Sequence, residues 1–417
     1  MELAAQLAED AAERLFRYVQ IDTQSDEDSE TYPSTEKQLE LLRLLLDELK
    51  QAGLADAQID EHGYVTATLP ATVSGDIPTI AFFAHVDTAR EVTGTNVRPQ
   101  RIRYEGGEIP LGTSGNVIRP EESPQLAAHV GHELITTDGT TLLGADDKAG
   151  IAEIMAAVEY LQAHPELKHG PVKVAFNPDE EIGKGVVHFP VDTFGAVAAY
   201  TVDGSTAGEV QAETFSGAAV RMKIRGRAIH PGWAKGELVN AIKLASAVIE
   251  KLPKHARSPE TTEGKEGYVH PVVIEGDSSE VELRFIARDF ENDALDGHIA
   301  FLKQIADEVA ATDPRCAIEV TSEISYRNMR DTLDRHPEIV AHLEEAVRRA
   351  GLEPKRTSIR GGTDGSALTE MGLPTPNIFT GGHDAHSERE WLCVEDMGLA
   401  AATVVQTALV WAERATP

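Results

Sequence analysis

Leu142-Leu143-Gly144-Ala145-Asp146-Asp147-Lys148-Ala149-Gly150-Ile151 joins a short apolar step to a helix through a glycine-containing bend. Ile151, Ile154, Met155 and Val158 recur at i, i+3, i+4 and i+7, which predicts a helix with one apolar face. Asp146 and Asp147 then sit just ahead of its first turn. A cap explains one aspartate there, because its carboxylate accepts unpaired backbone N–H groups. Two in a row after two leucines is a poor way to build a cap, and the rest of the chain favours a site.

Outward from this bend the chain alternates strands and helices. Thr79-Ile80-Ala81-Phe82-Phe83-Ala84 is apolar on both faces, as in a central strand of a covered sheet. Val172, Val174 and Phe176 alternate with Lys173 and Ala175, and Val197–Val202 and Asn377–Phe379 are further short runs. Helices are expected over 3–19, 35–53 (opened at Ser34), 148–162, 337–350, 364–371 and 395–413. The alternation predicts an α/β fold, a sheet covered on both sides. Residues 90–130 read as an irregular insertion with short strands.

From about residue 215 the rhythm changes. Strand 218–225, helix 238–252, strands 267–274 and 280–288, helix 292–311 and strand 316–323 make a β-α-β-β-α-β, ferredoxin-like unit. The expected domains are therefore 1–213 and 327–417 as one body, with 214–326 inserted as a lid or dimerisation-like domain.

The 417 residues carry a formal net charge of −31 with 41% apolar residues, which suits a folded protein. Such an acid excess argues against nucleic acid or an anionic membrane as partner, since both call for Lys and Arg. Cys316 and Cys393 are the only cysteines, so neither a disulfide framework nor a thiolate metal motif is expected, and a cytoplasmic setting fits. The acidic N-terminal stretch does not read as a secretory signal, and no run approaches membrane-span length.

The residues immediately beyond each apolar strand are chemically loaded. His85-Val86-Asp87 comes after the first, Asn177-Pro178-Asp179-Glu180-Glu181 after the second, Asp203 after the third and Gly381-Gly382-His383-Asp384-Ala385-His386 after the fourth. Ligands of open α/β sheets bind beyond the carboxyl ends of strands. Singly, each has a plain explanation: a satisfied strand-end histidine, a solvated acidic turn, a surface-loop histidine. Jointly, imidazoles and carboxylates without thiolate suit zinc and related divalent metals. A bridging carboxylate would allow a two-metal site.

These residues resemble a known family. His85-Val86-Asp87-Thr88, Leu143–Gly150, Pro178-Asp179-Glu180-Glu181-Ile182-Gly183, Tyr200–Gly204, Arg360-Gly361-Gly362-Thr363-Asp364-Gly365 and Gly381-Gly382…His386 are similar to motifs of the co-catalytic zinc exopeptidases. Within them the pattern most resembles the peptidase T family of tripeptide aminopeptidases. The inserted segment joins in through His230-Pro231-Gly232, Asn240-Ala241, Glu263-Gly264 and Arg288-Asp289-Phe290, so nearly the whole chain is covered.

The resemblance implies two zinc ions, with cobalt or manganese as substitutes, and a peptide substrate. It implies that Asp146 bridges the metals, that His85 and Asp203 complete the first site, and that Glu181 and His386 complete the second. Glu180 would be the general base, and Asp87 would fix the His85 ring. It also implies a cis Asp146–Asp147 bond, and substrate contacts from His230, Asn240, Arg288 and Arg360. Lids of this family often dimerise, so monomer and homodimer both stay open. His383 is a departure, since relatives usually carry an aromatic there, but His386 keeps the motif position. The rival activities are a dipeptidase, carboxypeptidase or N-acyl amino acid deacylase with the same metals. A non-catalytic metal-dependent peptide-binding protein is the rival of another class.

Overall fold

The structure is a computed structural model describing residues 2–415. Its contacts divide it into two compact units, the second comprising Glu213–Arg330 and Ser358–Gly362 and the first the remainder. The sequence pattern assigns all of 327–417 to the first body. Ser358–Gly362 cluster with the second unit instead, where Arg360 Nη1 donates to the carbonyls of Gly264 and Glu266.

An eight-stranded mixed sheet forms the frame of the first unit. At its centre Val172–Asn177, Ile80–His85, Ala198–Gly204 and Asn377–Phe379 lie side by side, each parallel to its neighbour. Their carboxyl ends therefore share one rim. The register sets His85 beside Asn177 and Ile378 beside Val202. Ile80–His85 is buried along its whole length, as its apolar run requires.

Helix Ala145–Ala163 is buried on nearly every side, not on one face as its isoleucines suggest. It packs against helices Glu2–Tyr18 and Val394–Ala415 and against strands Ile80–His85 and Ala198–Gly204. Alanines and Gly150 fill the positions between its larger residues, and apolar residues on every side of its later turns suit a helix within a core. A Cβ on Gly150 would stand 1.8 Å from the Val202 carbonyl oxygen, so only glycine lets helix and strand approach this closely.

The second helix differs from expectation at its start. It begins at Gln38, and Lys37 ahead of it makes no side-chain cap. Ser34 is engaged elsewhere, since its backbone N–H and hydroxyl both donate to the Asp179 carboxylate. The region 90–130 contributes Gln100–Arg103 to a four-stranded sheet with Glu133–Thr136, Trp391–Cys393 and Gly382–His383. Leu126, Leu134, Trp391 and Cys393 belong to the core beneath it.

In the second unit Ser216–Arg225, Ala241–Glu250, Tyr268–Gly276, Glu280–Asp289, Asn292–Ala310 and Ala317–Tyr326 succeed one another as β-α-β-β-α-β. The third strand pairs antiparallel with both the first and second, and the fourth pairs with the first. This is the split β-α-β arrangement of ferredoxin-like sheets. Met222, Leu283, Phe285, Leu302 and Ile305 lie in its core. No described helix of either unit is long and apolar enough to cross a membrane.

Candidate metal centre

Asp146 stands between two histidines. Its Oδ1 is 3.1 Å from His85 Nε2, and its Oδ2 is 3.3 Å from His386 Nε2. Asp203 Oδ1 lies 3.7 Å from His85 Nε2, and Glu181 Oε1 lies 3.0 Å from His386 Nε2. The five residues thus form two donor groups that share one carboxylate. The Asp146–Asp147 peptide bond is cis. Asp147 is wholly buried and its Oδ2 accepts the His85 backbone N–H at 3.2 Å.

The local fold explains how each donor is presented. His85 ends its strand, and its Nδ1 donates to the Asp87 carbonyl at 3.1 Å, with Asp87 Oδ1 at 3.3 Å. That turns Nε2 toward Asp146 and Asp203 and fixes the tautomer. Asp87 does more than the sequence suggests. Its two carboxylate oxygens accept the backbone N–H groups of Glu180 and Glu181 at 3.0 and 3.1 Å. Asp179, in the left-handed region at φ 63°, turns its carboxylate away to Ser34 and Gln38. The acidic turn is thereby gripped from both sides, and its adjacent glutamates divide: Glu181 meets His386, while Glu180 Oε2 stops 4.0 Å from His85 Nε2.

Sequence reasoning missed Glu390. This residue is 1% exposed and accepts the backbone N–H groups of Leu143, Gly144 and Asp146. It lies in the charged run Ser387-Glu388-Arg389-Glu390, which reads as a solvated loop and carries no periodic signal. Asp364 likewise has no role legible in its sequence context. Its carboxylate accepts from Asn177 Nδ2 at 2.6 Å, and burial raises it to about 7.

Electrostatics shows what the cluster lacks. Burial alone would lower His85, but hydrogen bonds to Asp146, Asp203 and Asp87 hold it well above the histidine range. His386, bonded to Asp146 and Glu181, is raised to about 11. Burial raises Glu181 to about 8, Asp203 to about 6, and Glu180 well above its usual range. Crowded buried carboxylates need positive charge nearby. Glu181 Oε1 is buried, with His386 Nε2 at 3.0 Å as its close partner. The groups His85, Asp146 and Glu181, and His85, Asp147 and Asp203, each bring donor atoms within 4.8 Å of one another. The residues therefore fit divalent metals of the zinc type.

His383 does not compete for this cluster. It is buried, groups with His129 and Asp396, and leaves Asp146 and Glu181 to His386. The four expected substrate contacts belong to the second unit and are described within it. Asn240 Oδ1 caps helix Ala241–Glu250 by accepting from Lys243, and exposed His230 accepts from Gly232. Arg288 Nη1 donates to the Arg360 carbonyl at 3.2 Å. The Arg360 guanidinium also lies over the rings of Phe215 and Tyr268.

The model for peptidase family M20/M25/M40 matches residues 132–410, and the chain belongs to that family. Relatives within it that match nearly the whole chain include peptidases T. The chain is 48% identical over 409 residues to peptidase T of Shouchella clausii, covering 98% of this chain and 100% of that protein. It is 48% identical over 404 residues to peptidase T of Bacillus subtilis, covering 96% and 98%. Among solved structures, aminopeptidase PepT of Bacillus cereus superposes with a TM-score of 0.74 at 24% identity, over 97% of this chain and 99% of that one. The Bacillus subtilis YXEP protein, described as a dinuclear metal binding peptidase of the M20 family, gives 0.65 at 16% identity, over 98% and 99%. These structural likenesses show the shared fold.

Proposed function

We propose that this chain is a two-zinc aminopeptidase that releases the N-terminal residue of tripeptides. The observation that carries the reading is Asp146, with one carboxylate oxygen facing His85 and the other facing His386. His85 and Asp203 would hold one zinc, Glu181 and His386 the other, and Asp146 both. Bound there, the pair would lower the pKa of water and polarise a scissile carbonyl.

The protein's own share of the work falls to a few groups. Glu180 takes the proton from the attacking water and delivers it to the leaving amine, so a tripeptide and water become an amino acid and a dipeptide. Its position close to His85, held by Asp87 through the backbone, suits a base that is not itself a ligand. His230, Asn240, Arg288 and Arg360 are proposed to contact the peptide, with Arg288 suited to a carboxylate or carbonyl by its forked donors. Free Cys316 and Cys393 support a cytoplasmic location.

A side-by-side rate measurement on tripeptides, dipeptides and N-acyl amino acids tests the substrate assignment. Preferred release of the N-terminal residue from tripeptides supports it. Preferred cleavage of N-acyl amino acids would leave the metal cluster standing and overturn the tripeptide reading.

A further inference from the structure

A second cluster of metal-ligating side chains lies apart from the Asp146 group. His129 succeeds the short 3-10 turn Pro124–Ala128, His383 lies on strand Gly382–His383, and Asp396 lies in the first turn of helix Val394–Ala415. All three are more than nine-tenths buried, at 6%, 4% and 6% exposure. Each offers a ligand atom within 4.8 Å of the others. Ligand atoms around a tetrahedral zinc with bonds of about 2.0–2.1 Å stand roughly 3.4 Å apart. Small side-chain adjustments would close that gap.

Two features of the hydrogen bonding bear on a cation here. His129 Nδ1 lies 2.8 Å from the Gln125 carbonyl, which can only accept, so Nδ1 carries a proton and Nε2 is left for either a second proton or a metal ion. That nitrogen faces Asp396 Oδ2 at 2.9 Å, another acceptor. Two acceptors in contact require a proton or a cation between them. A carbonyl fixing the far nitrogen of an imidazole is also the usual support of a metal-bound histidine. Independently, His383 Nε2 is buried with no hydrogen-bond partner among the described residues. Leaving a buried nitrogen unpaired costs about 1–3 kcal/mol, and a cation shared with His129 and Asp396 would remove that cost.

We propose that His129, His383 and Asp396 form a separate structural site for a zinc-like divalent cation. Imidazole, imidazole and carboxylate suit such an ion. His132 and Cys393 form an overlapping group with His129 and supply further donors beside it. The ion would pin three segments distant in sequence: the 3-10 turn, the strand that leads into the His386 loop, and the C-terminal helix. Its role is to hold that loop's base, and it takes no part in the chemistry.

The test uses the full chain with His85→Ala and His386→Ala, which removes both imidazoles of the Asp146 cluster, so the result does not depend on the proposed activity. The protein is stripped with a chelator and dialysed against zinc. The expected result is retention of about one zinc per chain with a zinc-dependent rise in Tm. Adding His383→Phe, which keeps a ring against Trp391, should abolish both the retention and the rise, and Asp396→Asn should do the same. Far-UV circular dichroism confirms that each variant is folded. No zinc in the parent variant, or equal zinc with and without His383→Phe, would overturn the proposal.

Discussion

Glu390 holds the backbone of Asp146: one of its carboxylate oxygens accepts the Asp146 N–H at 3.0 Å, and the other accepts those of Leu143 and Gly144 at 2.8 and 2.7 Å. A buried carboxylate filled by three amides fixes the bend that aims the Asp146 side chain at both histidines. Burial raises Glu390 to about 7, against the pull of those amides. Glu390→Gln keeps the shape but turns an NH2 toward backbone donors. The expected loss is about 10–100-fold in tripeptide turnover or metal affinity, as for other residues that support a ligand. Steady-state kinetics and zinc competition measure it, and near-wild-type values in both would remove Glu390 from the account.

Gly150→Ala tests the close packing of helix Ala145–Ala163 on strand Ala198–Gly204. Helix propensity alone favours alanine by about 1 kcal/mol. The added Cβ would meet the Val202 carbonyl at 1.8 Å, and backbone cannot give way like a flexible side chain. Overpacking should prevail, with a net destabilisation of about 2 kcal/mol or more in urea unfolding. A more stable variant would show that the helix can move off the sheet.

His169 gives a pH dependence away from the metal cluster. It is wholly buried, its Nδ1 lies 2.8 Å from the Gly170 carbonyl, and its Nε2 has no partner among the described residues. Burial lowers its pKa from the usual value of 6.5. The unfolded chain then binds the proton first as pH falls. The contribution is fully present above about pH 6.5 and is lost as pH falls from there through the lowered folded value. Thermal melts of wild type and His169→Asn from pH 8 to 5 should show the wild type losing more stability on acidification. Parallel losses would contradict the assignment.

The parallel strands and their loaded ends are legible in the sequence because apolar runs and the polar residues just past them are local patterns. Ile80–His85 and Asn377–Phe379 fall where those runs do. The hidden features depend on distant partners. Ser34 looks like a helix cap until Asp179 is brought to it from 145 residues away. Glu390 looks solvated until Leu143, Gly144 and Asp146 close on it. Strand Glu209–Thr214 escapes a sequence pattern, since its Glu, Gln and Thr residues leave only a short apolar signal. Helix Ala145–Ala163 reads as half-buried because alanine and glycine are neutral in a hydrophobic pattern, although here they are the contact surface.

The central claim is that Glu180 moves the proton while its neighbour Glu181 serves the metals. Tripeptide hydrolysis by wild type and Glu180→Ala, with zinc counted in both, tests it most directly. The expected result is a variant that keeps the wild-type zinc content and loses about 100-fold or more in kcat. A variant that retains wild-type turnover would contradict the assignment of the base, and one that loses its zinc would show that Glu180 is a ligand.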